Sequence, residues 1–454
     1  MKKIIVLFVL LFALLTSNLY AQFSVSADIR TRAEMRNGYR ELPVEHNPAF
    51  IIAQRSRLIF NFKDDKFRMR FSAQDSRVWG DESVYNSTGV FGDDASIEMN
   101  EGWVEFLMKE HFSFRIGRQV WAYDDERLLS VRNWNRQGIA YDAFLFKYQK
   151  SKNSFDIGLS WNNRAENNFG NDYRYFQTVS IFDTATQSNI RVQTELPLKI
   201  KSQNFIWWKR DLSNNNNITF LFLSTVLQQA ETADVFHVKN TAGSNLNYKL
   251  NKFGLNASAY YQFGKDHSGK NVSAYLGAAK LSYKTNTFTF TLGCDYLSGH
   301  DASKQDSMYM NTNHNFDIFY GMRHGKYGFL DYFNQMDKAT GLGGLVDVFF
   351  QLNTNINKKN SLLTGLHYFR LQNNVSDPLH SGTDFKALNK NLGYELDLLH
   401  NYNISEYAVL SSGFSYILAE KSLELLQGKT SGTTSPYWFY VILTVKPKLF
   451  SSEK

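Results

Sequence analysis

One cysteine, six prolines and a single long apolar run in 454 residues set the first limits on this chain. A lone Cys294 excludes an intramolecular disulfide framework and a cysteine-built zinc site. It falls on the apolar face of a predicted strand, where packing accounts for it, and lies far from the N-terminus, so nothing supports a lipidated start. Beyond the run Ile4 to Leu15 no stretch approaches the ~17–25 apolar residues of a spanning helix, and mean hydropathy is −0.38. The net charge of +7 is modest, and no predicted solvent face gathers a basic patch, which argues against nucleic acid as a partner.

The apolar run follows Lys2 and Lys3 and precedes Thr16, Ser17, Asn18 and a small residue at Ala21. A charged start, a short apolar stretch and a small residue before Gln22 predict a signal peptide at 1–21. Leu19 departs from the small residue usual at its position. Removal takes two lysines and lowers the charge to about +5. The remainder, 22–454, has no Gly/Pro/Ser linker, heptad or low-complexity tail and reads as one domain.

What the chain has in abundance is aromatic residues, 15% of the total with 37 Phe and 25 Tyr, arranged with a period of two. From Phe23 to Arg36 the residues Phe23, Val25, Ala27, Ile29, Ala33 and Met35 alternate with Ser24, Ser26, Asp28, Arg30, Arg32, Glu34 and Arg36. Such alternation is a strand. It continues at 51–63, 67–79, 97–109, 112–120, 139–149, 154–162, 199–210 and 218–229. It resumes at 235–250, 253–264, 271–284, 287–298, 343–356, 361–371, 391–402, 406–418 and 436–447, eighteen strands in all. The region 163–198 has room for a further strand pair.

Tight turns, such as Asp64–Asp65, alternate with mostly longer connections, such as 121–138 and 299–342. That is the pattern of an all-β transmembrane antiparallel barrel with tight periplasmic turns and long extracellular loops. An even strand count leaves both termini in the periplasm, so the chain is expected in the bacterial outer membrane with lipid as its first partner. Trp207 and Trp208, Tyr260 and Tyr261, and Tyr437 to Tyr440 fall near strand ends, where aromatic rings prefer the headgroup region. Phe450 supplies a near-terminal aromatic for the barrel assembly machinery, although Ser451 to Lys454 follow it.

The polar faces then line a lumen. Of 20 arginines, 14 lie between Arg30 and Arg136, and Arg30, Arg32, Arg55, Arg57, Arg68, Arg70 and Arg115 alternate onto those faces. Guanidinium forks bind carboxylates in pairs of bonds, so stacked arginines offer successive weak sites to an acidic chain, as conduction requires. The same lumen carries Asp28, Glu34, Glu101, Glu105, Asp295, Asp347, Glu395 and Asp397, which can neutralise the arginines across strands. Both readings stand at this point.

The run Arg115-Ile116-Gly117-Arg118-Gln119, then Tyr123, Asp125, Arg127, Leu128 and Tyr141-Asp142, resembles the alginate export family of outer-membrane barrels. Asp295-Tyr296, Ser298-Gly299, Thr312-Asn313-His314, Asp347, Tyr368-Phe369-Arg370 and Leu392 to Asp397 continue the resemblance over nearly the whole mature chain. It implies a monomeric eighteen-stranded barrel that passes an anionic polysaccharide or oligosaccharide through an electropositive constriction partly closed by loops. A lumen role at Arg118, Tyr123, Asp125, Arg127, Asp295, Asp347, Arg370, Glu395 and Asp397 is expected on that basis. Alternatively, Arg118 and Asp125 pin the loop at 121–138 inside the barrel. Frequent acids and a later preference for Lys depart from a strongly basic lumen.

Other readings carry less. Oxygen-rich segments at Asn162 to Asp172 and at Asp93-Asp94 suit calcium, but such residues also favour turns, and no metal or other cofactor is expected. An outer-membrane hydrolase would pair His314, His367 or His400 with a serine, yet no nucleophile motif accompanies them, so the chain is not read as an enzyme. A general small-solute porin and a structural or adhesive barrel are the remaining rivals.

Overall fold

The computed structural model describes residues 22–80, 97–163, 166, 168, 170, 176–183, 188–195, 200–213, 215–229, 235–319, 321–380, 384–430 and 432–452. The expected signal peptide, Asp93, Asp94 and part of the Asn162 to Asp172 segment lie outside them. Alternation produces β1 (Gln22–Asn37), β2 (Ala49–Lys63), β3 (Phe67–Val78), β4 (Ile97–Leu107), β5 (Phe112–Gln119), β6 (Tyr141–Lys150) and β7 (Asn153–Ser160). A hairpin follows, β8 (Phe176–Asp183) and β9 (Ser188–Glu195). Next come β10 (Ile200–Ser213), β11 (Asn216–Gln228), β12 (Phe236–Leu250), β13 (Phe253–Lys265), β14 (Asn271–Lys284), β15 (Phe288–Leu297) and the two-residue β16 (Thr312–Asn313). The series ends with β17 (Leu345–Asn355), β18 (Asn360–Leu371), β19 (Asn391–Asn403), β20 (Ala408–Ala419), β21 (Tyr437–Val445) and β22 (Lys448–Ser451).

Eighteen of these form the wall. The hairpin β8–β9 is a sheet of its own, β16 lies beside β14, and β22 continues β21 beyond Pro447. β21 and β22 pair with β1, from Asn37↔Tyr437 down to Ser24↔Ser451, and close the ring. Every strand expected from the alternation overlaps a wall strand. The strand pair expected within 163–198 exists as β8–β9 but does not enlarge the barrel.

Closure explains the composition. Phe253, Leu255, Tyr261 and Phe263 are exposed along β13 while Ser258, Tyr260 and Gln262 are buried. The same inversion recurs around the wall, giving a continuous apolar outer belt far larger than the few hundred Å² a soluble monomer exposes. Lipid is the solvent that suits it. No helix among the described residues is long and apolar enough to cross a membrane; the strands do the crossing. The tight turns and both ends of the described residues share one rim, where Phe23 N–H donates to Ser452 Oγ at 2.8 Å.

Alternation also corrects the aromatic expectation. In each adjacent pair only one ring can face lipid: Trp208, Tyr261 and Phe439 point outward, while Trp207, Tyr260, Trp438 and Tyr440 turn into the lumen. Inward aromatic rings cover glycines on the neighbouring strand. Phe205 sits over Gly158, Tyr260 over Gly243, Phe349 over Gly293 and Tyr440 over Gly413, each pair directly opposed in register. A Cβ at any of the four would overlap the ring.

Candidate functional site: the lumen and its inward loops

The lumen has two chemically distinct walls. On β1–β5 the inward residues include eight arginines, Arg30, Arg32, Arg36, Arg55, Arg57, Arg68, Arg70 and Arg115, and five carboxylates, Asp28, Glu34, Glu98, Glu101 and Glu105, so pairing cannot cancel the positive charge. The pairs do form: Arg55 with Asp28 at 3.0 Å, Arg32 with Glu34 at 2.6 Å, Arg70 with Glu101 at 2.7 Å and Arg115 with Glu105 at 2.6 Å. Arg115 also lies 3.8 Å over the Trp103 ring. Arg68 is exposed to the lumen.

Across the barrel, β15–β19 present acids. Asp295 and Asp347 oppose each other in register. His367 reaches Asp347 at 2.9 Å and lies 3.8 Å from Asp397. Ser415 donates to Asp397 at 2.6 Å rather than to His367, so this cluster lacks the serine–histidine bond of a hydrolase. Glu395 accepts the Leu330 N–H at 2.8 Å.

Two extracellular loops fold inward between these walls. The loop 120–140 leaves β5 and runs back along the arginine side to β1, where Arg30 donates to the carbonyls of Asn133, Trp134 and Asn135 at 2.5, 3.1 and 2.9 Å. Arg57 holds the Gln137 carbonyl at 2.9 Å. The same loop reaches the other walls: Trp207 donates to Asp124 at 2.9 Å, and Arg127 binds Asp295 through two bonds of 2.6 and 2.8 Å. Tyr123 donates to Asp156 on β7 at 2.8 Å. Asp125 meets Arg127 at 2.7 Å and Lys326 at 3.2 Å. Lys326 belongs to the second loop, 298–344, which stacks His324 on Trp134 at 3.7 Å. Tyr39 on the first extracellular loop donates to its Asp331 at 2.5 Å.

Burial pulls the Lys326 ammonium down to about 8, with Arg127 adding to the effect. For Asp125 burial pushes the carboxyl upward, but Arg127 and Lys326 outweigh it and hold it below the usual range. The loops thus form a charged belt across the lumen. Toward the extracellular side lies a cavity of about 560 Å³ walled by Arg40, Arg132, Trp134, Arg323, His324 and Lys338. Toward the turns lies one of about 820 Å³ reaching from Met108 and His111 past Arg68 and Arg115 to Tyr123.

Two expected lumen residues stand elsewhere. Arg118 shares the phase of Phe114 and Ile116, so it faces outward, paired with Asp142 at 2.7 Å. Arg370 shares the phase of Leu366 and Tyr368 and is likewise outward. The period of two that placed Arg115 in the lumen excludes its neighbour three residues on. Arg118 therefore does not pin the inward loop; Arg30, Arg57, Asp124 and Arg127 do. Sequence reasoning missed Trp134, His324, Lys326 and Asp331, which lie on loops with no periodicity to mark them.

Solved structures with this architecture include OccAB1 of Acinetobacter baumannii, 13% identical with a TM-score of 0.60, covering 94% of this chain and 97% of that one. OpdL of Pseudomonas aeruginosa is 12% identical with a TM-score of 0.57, over 94% and 99% of the two chains. At these identities the likeness concerns the fold. No curated protein matches the chain. The family model described as alginate export matches residues 21–419. An eighteen-strand wall, an arginine side and a match of that extent agree: the chain belongs to the alginate export family of outer-membrane barrels.

Proposed function

We propose that this outer-membrane channel passes acidic solutes passively, an anionic polysaccharide or oligosaccharide among them, along the arginine side of its lumen. The supporting observation is the excess of arginines over carboxylates on β1–β5, where the neighbouring strands β1, β2 and β3 carry seven of the arginines and Arg115 follows on β5. Carboxylates on a passing chain can exchange between such forks, because all but Arg68 are already partly satisfied among the described residues. Arg30, Arg32, Arg55, Arg57, Arg68, Arg70, Arg115 and Arg127 provide or support this track. Asp295, Asp347, Glu395 and Asp397 are buried and anchor the inward loops and the His367 cluster on the far wall, and Tyr123 and Asp125 shape the belt. The transport uses no cofactor and no covalent chemistry.

The test is reversal potential and conductance of the refolded protein in planar bilayers, with oligouronates added as blockers. Anion preference with concentration-dependent block supports the reading; an unselective, unblocked pore refutes it. A general small-solute porin is the second reading, favoured by the ion pairs that satisfy Arg32, Arg55, Arg70 and Arg115.

A further inference from the structure

The outer face at the turn end of β5–β11 carries a row of five aromatic residues set side by side on consecutive wall strands. Phe112 opposes Tyr148, Tyr148 opposes Phe155, Phe155 opposes Trp208, and Trp208 opposes Phe220. Phe112 and Tyr148 lie 4.7 Å apart and Trp208 stacks on Phe220 at 5.6 Å. Two residues nearer the rim, in the same outward phase, come Lys150, Asn153 and Arg210, again directly opposed. Lys152 stands in the turn beside them, its carbonyl accepting the Asp211 N–H at 2.8 Å.

Arg210 donates to Asn153 at 3.2 Å, and among the described residues no acid lies within ion-pair distance of Lys150, Lys152 or Arg210. The nearest acids are engaged or turned away: Asp211 faces the lumen side with Lys209 at 2.9 Å, and Glu110 sits in the adjoining turn. Lys150, Lys152 and Arg210 are exposed.

We infer that Lys150, Lys152 and Arg210 bind the phosphate headgroup of an anionic phospholipid of the periplasmic leaflet, with its acyl chains laid against the aromatic row. Tight turns mark this rim as the periplasmic one, and rings of this kind sit at headgroup level. Cations just beyond that level meet lipid phosphates, each contributing roughly five-fold to selection of an anionic over a zwitterionic lipid. Continuity with the lipid-facing belt favours a lipid over a soluble partner, which would have to displace the bilayer edge to reach Trp208. The cluster lies on the outer face and does not depend on what the lumen carries.

Trp208 reports on the site. The full chain is reconstituted in vesicles with brominated phosphatidylglycerol or brominated phosphatidylcholine, and the quenching lost in Trp208→Phe is taken as that of Trp208. The expected result is half-maximal quenching at a several-fold lower mole fraction of phosphatidylglycerol. In the variant K150Q/K152Q/R210Q the two lipids should become equivalent, with folding checked by heat-modifiable gel mobility. If that variant fails to fold, Lys152→Gln in the exposed turn should narrow the difference alone. Equal quenching by both lipids in the native protein, or a preference that survives the substitutions, overturns the assignment.

Discussion

Arg127 grips Asp295 with two bonds of 2.6 and 2.8 Å and so ties a loop rooted at β5 to β15, eight wall strands away and nearly opposite in the ring. Both side chains are buried, and Asp125 supplies a second carboxylate at 2.7 Å. Removing one partner of a buried pair costs about 3–5 kcal/mol, enough to free the loop while the hydrogen-bonded wall persists. Arg127→Met should therefore give a larger, noisier single-channel conductance with the folded gel mobility retained. A native conductance in that variant would mean that the loop is held without the fork.

The two faces of the wall predict opposite outcomes for two arginines. Arg57→Glu places a carboxylate beside Arg55 and Gln74 in the lumen and should shift the reversal potential toward cations. Arg118→Gln removes an outward pair with Asp142, worth about 0.2–1 kcal/mol, and should leave selectivity unchanged. Reversal potentials in a salt gradient check both. Equal shifts would contradict the placement of Arg118 on the outer face.

The wall was legible in the sequence because lipid and lumen impose a strict period of two on every strand, as in Phe23 to Arg36. The even strand count lets β21 meet β1 antiparallel, so the ring closes with the same pairing as the rest of the wall. The site was legible only where it lies on strands: Arg30, Arg57, Asp295 and Asp397 alternate into the lumen as expected. Motif proximity misled for Arg118 and Arg370, since a motif does not respect the pleat. Trp134, His324, Lys326 and Asp331 were invisible because long-range contacts between two loops, not local pattern, fix them.

Gly413 is covered by Tyr440, whose buried ring lies 5.3 Å from Trp134 on the inward loop. Gly413→Ala should push that ring toward the loop and cost about 1–3 kcal/mol, as overpacking does. Urea unfolding of the reconstituted protein measures it. In a Tyr440→Ala background the same substitution should cost distinctly less, because the clash partner is gone; an equal cost would place the strain in the backbone instead.

Lys326 gives the belt a titration within reach of experiment. Its pKa, drawn down to about 8 by burial and then by Arg127, means it is largely charged at pH 7 and largely neutral at pH 9. Asp125 and Asp295 face it with Arg127 and Lys280, so losing its proton removes one positive charge from the narrow region while the carboxylates remain. Anion preference should therefore fall as pH rises through about 8. Lys326→Met, neutral at every pH, should start from the weaker preference and show no such transition. A transition of native size in that variant would assign the titration to another group.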